Sequence, residues 1–212
     1  MKKTKVVVIV IYIISFLLGT AAIAQITGNN DDGISLARLG EALKKARFVS
    51  ESDQIIAKVN GKPITKKQFA ECEAFLKFSN EYQGKLAPEK EDVIKTLAKG
   101  LLAQQEADNK GIKVSEQEID QEIQRDREIF ASASPENQQK LREYFEAQGI
   151  NFDKYWASKE KRNAIKFRIT MRKLIEDALS QAKTPEERHQ VFEDAEKHLD
   201  ELYKQAKIEM LE

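Results

Sequence analysis

The chain has 212 residues, 33% of them charged, and its 35 basic residues balance 35 acidic residues. This length suits one domain with short appendages, and the balanced charge gives no general attraction to nucleic acid, which argues against a nucleic-acid-binding protein. The single cysteine, Cys72, excludes an internal disulfide and a cysteine-based zinc site. Nine glycines and four prolines are few for this length, which favours long helices.

Residues 1–24 have the pattern of an export signal. Lysines within the first five residues precede an apolar run at 6–18, and the small residues Ala22 and Ala24 fit a cleavage site before Gln25. With its extension through Ala24, the run approaches the roughly 20 residues that cross a bilayer, so a retained membrane anchor is the alternative. In both cases the rest of the chain lies outside the cytoplasm. We expect an exported protein that is secreted or held at the outer face of the cytoplasmic membrane.

Residues 25–52 are predicted to form a linker that contains a short amphipathic helix at roughly 34–48. The apolar residues on one face of this helix are Leu36, Leu39, Leu43 and Ala46. This face indicates packing on the domain that follows. Contact with a membrane or a partner stays open, because three basic residues here also suit lipid headgroups: Lys44, Lys45 and Arg47.

The stretch VNGKPIT at 59–65 predicts the turn of a β-hairpin. Asn60-Gly61 is a strong two-residue turn signal, and β-branched residues precede it. Pro63 restricts the return strand to an edge, and Thr65 is placed to cap a helix. The closing residues 206–212, AKIEMLE, alternate in polarity and predict a short strand that pairs with the hairpin.

The chain between the hairpin and the closing strand reads as a series of helices. One is predicted at about 88–110, ended by Gly111, and one long helix at roughly 152–182, capped by Asn151. Ser115 and Thr184 begin two others with capping boxes. The predicted fold is therefore a mostly α domain at 53–212, with a small antiparallel sheet made from the N-terminal hairpin and the C-terminal strand.

Few residues suggest catalysis. His189 and His198 lie nine positions apart on one predicted helix and cannot share a metal, and no nucleophile or phosphate-loop motif occurs. The carboxylates of 116–128 have the spacing of a solvated helix face, and Cys72 is expected to be a buried apolar residue. We therefore predict no catalytic residue, no cofactor and no metal site.

An aromatic cluster is the strongest candidate for a binding site. Its five members fall within thirteen residues across a predicted helix–turn–helix junction: Tyr144, Phe145, Phe152, Tyr155 and Trp156. One interpretation is core packing at that corner. The other is an apolar groove that receives extended or unfolded polypeptide.

Four stretches in order carry a family resemblance. They are IIAKVNGKPITKKQF (55–69), LAKGLLAQQEADNKGIKVSEQEIDQEI (97–123), QGINFDKYW (148–156) and KQAKIEML (204–211). Together they resemble the N-terminal chaperone domain of SurA-like and PrsA-like extracytoplasmic foldases, over roughly residues 53–212. Members of this group often carry a parvulin prolyl-isomerase domain after the long helix, whereas this chain has only residues 182–184 at that point.

The resemblance implies a chaperone module without the isomerase. The expected function is ATP-independent binding of unfolded or partly folded exported proteins, with no nucleic-acid partner and with any membrane association made through the N-terminal segment. Two alternatives remain open: a protein related to prolyl isomerases with lost or partner-dependent activity, and a surface adaptor for one specific partner.

Overall fold

The computed structural model describes residues 36–49 and 54–211. The predicted export signal or anchor at 1–24 lies outside the described residues, as does half of the predicted linker. In chain order the elements are α1 (Leu36–Val49), β1 (Ile55–Val59), β2 (Lys62–Thr65), α2 (Lys66–Tyr82), α3 (Lys90–Asn109), α4 (Glu116–Ser132), α5 (Pro135–Ala147), α6 (Phe152–Tyr155), α7 (Lys159–Leu174), α8 (Glu176–Gln181), α9 (Pro185–Gln205) and β3 (Ile208–Met210). The predicted mostly α fold with a small sheet is confirmed.

The three strands form one antiparallel sheet in the order β2-β1-β3. Asn60 and Gly61 have φ values of 49° and 82°, the left-handed conformations that a tight hairpin turn requires and that asparagine and glycine tolerate best. Val59 pairs with Ile208 across β1 and β3. The closing strand therefore pairs with the hairpin, as its alternating polarity predicts.

Helix boundaries follow the predicted caps. The side chain of Thr65 accepts a hydrogen bond from the backbone N–H of Gln68, and Ser115 does the same for Glu118. Thr184 caps α9 in this way, and Gly111 follows α3 with φ of 68°. These local bonds satisfy backbone groups that a helix end leaves unpaired.

The prediction of one long helix at 152–182 is wrong. The chain forms α6, α7 and α8 there, because Ser158 accepts a hydrogen bond from the N–H of Lys161 at 3.1 Å and so begins a new helix. Ile175, with φ −116° and ψ 6°, separates α7 from α8. Serine is favoured at N-caps, and no large apolar residue lies between Trp156 and Ile165, so this break has a signal in the sequence.

Two apolar cores share helix α3. The first, here the helical core, lies among α1, α2, α4, α5, α6 and α7, and Val93 of α3 reaches it. The second, here the sheet core, joins the inner face of the sheet to the other side of α3 and to the end of α9. Its buried members are Ala57, Val59, Ile64, Ile94, Ala98 and Leu102.

Candidate functional site

The predicted aromatic cluster exists and is larger by one ring. Phe130 of α4 joins it, with its ring centroid 4.8 Å from that of Phe152. The centroids of Phe145 and Tyr155 lie 4.4 Å apart, and those of Phe152 and Trp156 lie 5.7 Å apart. Most of these pairs are tilted or edge-to-face, the arrangements that the ring quadrupole favours. The glycine turn at Gly149, with φ of 73°, returns α6 onto α5 and brings the rings together.

Most of the cluster is buried. Tyr144, Phe145, Phe152 and Trp156 are each 3–6% exposed, whereas Tyr155 is half-buried. These four side chains therefore lie in the core of the structure, in line with the core-packing interpretation. Contact with a peptide stays a prediction, and it requires that a covering element move.

The cluster is covered by different groups on its two sides. The guanidinium carbon of Arg142 lies 4.7 Å from the ring centroid of Phe152, and that of Arg127 lies 5.7 Å from that of Trp156. On another side α1 packs against α5 and α2. Its apolar stripe enters the same helical core as the rings, and the buried members of that stripe are Leu36, Leu39 and Leu43. The predicted amphipathic helix thus packs on the domain.

Helix α1 approaches α5 closely at Gly40. A Cβ atom at this position would lie 2.5 Å from the backbone oxygen of Tyr144 and 2.8 Å from Cβ of Ala147. Real Cβ atoms essentially never come so near to a backbone oxygen, so a larger residue would push the two helices apart. Only glycine therefore fits the observed contact between α1 and α5.

Charge pairs align α1 along α2. Arg38 pairs with Glu81 at 3.2 Å near one end, and Arg47 pairs with Glu71 at 2.7 Å near the other. We call the surface under α1 the α1 groove: it runs from Glu71 to Glu81 on α2 and from Tyr144 to Ala147 on α5. The sequence predicts the apolar stripe of α1 but carries no signal for where the stripe docks.

A buried ionic network lies behind the aromatic cluster. Lys161 of α7 is 0% exposed and Asp126 of α4 is 2% exposed; the lysine Nζ and a carboxylate oxygen lie 2.7 Å apart. Arg168 reaches the other carboxylate oxygen at 2.8 Å and also contacts Glu122 at 3.2 Å. The prediction that all of 116–128 is a solvated face is therefore wrong for Glu122 and Asp126, which are buried. Apart from Arg125, which pairs with Glu122 on the same helix at 3.2 Å, their partners lie more than thirty residues away, beyond the reach of local spacing.

The network and the cluster are in contact through Lys161. Its Nζ lies 4.9 Å from the ring centroid of Trp156 and 5.6 Å from that of Tyr155. Burial lowers the pKa of Lys161, while the Asp126 carboxylate opposes that shift. The lysine thus joins α7, α4 and the aromatic rings in one packed unit.

Burial also changes the acidity of neutral groups near the groove. It raises the pKa of the Tyr155 phenol to about 12 and the pKa of the Cys72 thiol to about 12. It raises the pKa of Tyr144 as well, with Arg47 opposing the shift. Cys72 packs against the helical core, so its predicted apolar role agrees with its place. A thiol of this kind has little thiolate at neutral pH and is a poor nucleophile.

The histidines lie apart from this region. His198 contacts Glu106 of α3 at 2.9 Å, and His189 faces Glu193 on its own helix at 3.5 Å. Within residues 36–49 and 54–211, no three histidine, cysteine or carboxylate side chains are grouped as metal ligands would be. Among the helices in these ranges, none has the length and apolar content needed to cross a membrane.

Comparison with known protein families gives one match. A family described as the SurA-like N-terminal domain matches residues 1–175. Comparison with curated proteins and with solved structures gives no match. The matched range includes α1, both strands of the hairpin, the aromatic cluster and the ionic network. It ends at Ile175, the residue that separates α7 from α8.

Proposed function

The chain belongs to the SurA-like N-terminal domain family, and we propose on this premise that it is an ATP-independent chaperone for exported polypeptides. Membership places the chain in a chaperone-type family. The proposal adds the client and the mechanism: the protein binds unfolded or partly folded chains outside the cytoplasm, shields their apolar segments, and releases them without a nucleotide. Its N-terminal segment either directs export or tethers the domain to the membrane.

The α1 groove is the observation that supports this proposal most. It holds an amphipathic helix by an apolar stripe on one side and by side-chain ion pairs at the edges. A groove that receives i, i+3 and i+7 side chains is a common way to recognise apolar peptide segments. Such a site needs no catalytic group, in keeping with the chemistry that the sequence offers.

The proposed peptide contacts are Tyr144, which lies in this groove, and the rings packed with it in the helical core. They are the residues of the predicted cluster: Tyr144, Phe145, Phe152, Tyr155 and Trp156. Tyr155 is half-buried and so is the member with most surface to offer a client. Aromatic rings give a large apolar contact with few rotatable bonds, which suits a site that must accept many sequences.

Weak contacts would allow release. Arg38 and Glu81 are 55% and 51% exposed in their side chains, and ion pairs this exposed contribute about 0–1 kcal/mol. Affinity then depends mainly on how much apolar surface a client buries. A client that folds withdraws that surface and leaves without any energy source.

Aggregation suppression tests the proposal. A chain that starts at Gln25 retains every described residue; we expect it to slow the light scattering of several unrelated denatured proteins at near-stoichiometric ratio. Tyr155→Ala should weaken this effect. Tyr203→Ala is the matched control, because Tyr203 is also half-buried but belongs to the sheet core.

The outcomes separate the proposal from its alternatives. A folded, monodisperse sample that slows the aggregation of no client would overturn the chaperone function. One tight complex with a single partner would instead indicate an adaptor. Faster proline isomerisation in a model peptide would favour the isomerase-related alternative, and we expect no acceleration.

A further inference from the structure

The α1 groove is filled by the chain itself. We propose that α1 is an internal occupant of the client site, and that client segments with the same amphipathic helical pattern displace it. This inference rests on the proposed chaperone function. It adds the class of segment that the groove accepts and the step that opens it.

Helix α1 takes no part in the sheet, so its departure would leave the strand pairing of β1, β2 and β3 in place. A helix satisfies its central backbone hydrogen bonds internally, so its departure exposes side chains and leaves no broken backbone ladder. Its principal contacts are with α2 and α5. Residues 50–54 join it to β1, and the sheet is completed by β2 and β3 without it.

The contacts of α1 define what else would fit. Leucines at positions i, i+3 and i+7 enter the helical core, and Gly40 at i+4 allows the close approach to Tyr144. Basic residues at i+2 and i+11 meet Glu81 and Glu71. We therefore expect preferred clients to have an apolar stripe, a small residue within it, and flanking lysine or arginine.

The covalent connection of α1 to the domain sets how strongly a client must bind in order to displace it. A tethered segment has an effective concentration of order millimolar near its site. Weakly apolar segments cannot compete with it, whereas segments with a longer apolar stripe can. The groove would thereby stay covered until a strongly apolar client is present.

Locking α1 in place tests this inference. In Arg38→Cys/Glu81→Cys, both new thiols replace exposed side chains that face each other, and a short bis-maleimide would join them. Cys72 reacts poorly because burial raises its pKa to about 12. We expect the cross-linked protein to lose most of its aggregation suppression relative to the same variant before cross-linking.

A matched cross-link controls for the chemistry. Asp194 and Lys197 form an exposed pair within α9 at 3.1 Å, away from the α1 groove, so Asp194→Cys/Lys197→Cys takes the same reagent without holding α1. This protein should keep its activity. Unchanged activity in the Arg38–Glu81 cross-linked form, alongside an active wild type, would overturn the inference and leave the chaperone function standing.

Releasing α1 gives the opposite test. Gly40→Ala should push α1 from α5 while raising its own helix propensity. If release raises the open fraction tenfold, a fluorescent peptide of residues 34–49 should bind about tenfold more tightly than to wild type. Gly100→Ala is the matched control, since a Cβ at Gly100 has no atom within 4 Å, and should bind the peptide as wild type does.

The remaining outcomes are also decisive. Equal peptide binding by Gly40→Ala and wild type, with circular dichroism showing both folded, would overturn the inference. So would a Gly40→Ala dimer that exchanges α1 between copies, because the occupant would then be a second copy. Failure of both wild type and Gly40→Ala to slow aggregation would overturn the chaperone function itself.

Discussion

The first and last described segments of the chain are held to the body of the protein by different forces. Helix α1 contacts the body through three leucine side chains and two exposed or half-exposed ion pairs. The C-terminal strand is held by the backbone: the N–H of Leu211 donates to the oxygen of Ile56 at 2.9 Å, and that of Asn60 donates to Lys207 at 2.9 Å. Removing a strand leaves polar groups unpaired, whereas removing a helix does not.

The difference assigns separate roles to the two ends. The C-terminal segment is a permanent closure, reinforced by contacts of Lys95 and Lys99 on α3 with Asp200 on α9 at 2.8 Å and 2.9 Å. If clients displace α1 as we propose, the N-terminal segment is a reversible cover of the α1 groove. The frame to which both attach is the body of helices α2–α7, and its most buried polar link is the Lys161–Asp126 pair.

Loss of that link should have the largest effect and should loosen both ends together. Asp126→Ala leaves Lys161 buried without its closest carboxylate, and breaking such a pair lowers the free energy of unfolding by about 3–5 kcal/mol. Urea unfolding followed by circular dichroism measures the change. Asp120→Ala is the control on the same helix, since that side chain is 64% exposed beside Arg162, and it should lower the free energy by about 0–1 kcal/mol. Equal effects would show that the frame does not depend on the buried pair.

Gly40→Ala should affect the N-terminal end alone. Overpacking against Tyr144 and Ala147 should exceed the gain in helix propensity, so we expect the free energy of unfolding to fall by about 1–2 kcal/mol. Gly100→Ala should instead raise it by about 0.5–1 kcal/mol. Limited trypsin digestion locates the change, because α1 contains Lys44, Lys45 and Arg47. Faster cleavage elsewhere in Gly40→Ala would contradict a separable α1.

Leu211→Pro should affect the C-terminal end alone. Proline removes the N–H that bonds Ile56, and we expect a loss of about 1 kcal/mol beyond that of Leu211→Ala, which keeps the bond. Hydrogen exchange at the amides of β1 should rise while trypsin cleavage of α1 stays as in wild type. If α1 were cleaved faster as well, the two ends would be coupled and the comparison would fail.

Alkaline pH should weaken the side that α1 covers. Because the folded protein raises the pKa of Tyr155 to about 12 from an ordinary value near 10, its stabilising contribution is complete below pH 10 and is lost as pH rises from about 10 to 12. The loss is on the order of 1 kcal/mol at pH 11. Unfolding measured from pH 9 to 11.5 should show a shallower decline in Tyr155→Phe. An unchanged slope would mean that the phenol is accessible to solvent.

Local chemistry made much of the fold predictable. The hairpin was readable because Asn60-Gly61 tolerates positive φ, and capping boxes at Ser115 and Thr184 mark helix starts with two bonds each. The closing strand is predictable because the spacing of apolar residues changes there from helical to alternating. Each of these signals lies within a few residues, so tertiary contacts did not override it.

The candidate site was only half predictable. Proximity in sequence identifies the aromatic rings, but the core that buries them also contains leucines of α1, which lies about a hundred residues earlier. The Lys161–Asp126 pair spans 35 positions, and nothing in the spacing of either residue distinguishes it from solvated neighbours. The helix start at Ser158 is not predicted, although the absence of large apolar residues between Trp156 and Ile165 is a signal that could indicate it.

The pairing of β1 with β3 has a consequence for how this body can be rearranged. Because the N–H of Leu211 bonds Ile56, residues 56 and 211 lie side by side, and residue 54 is two positions earlier in the chain. A short peptide could therefore connect residues 54 and 211, and new termini could be opened at Lys183, between α8 and α9. A circular permutant of this kind lacks α1, so it tests whether the helical core folds without Leu36, Leu39 and Leu43.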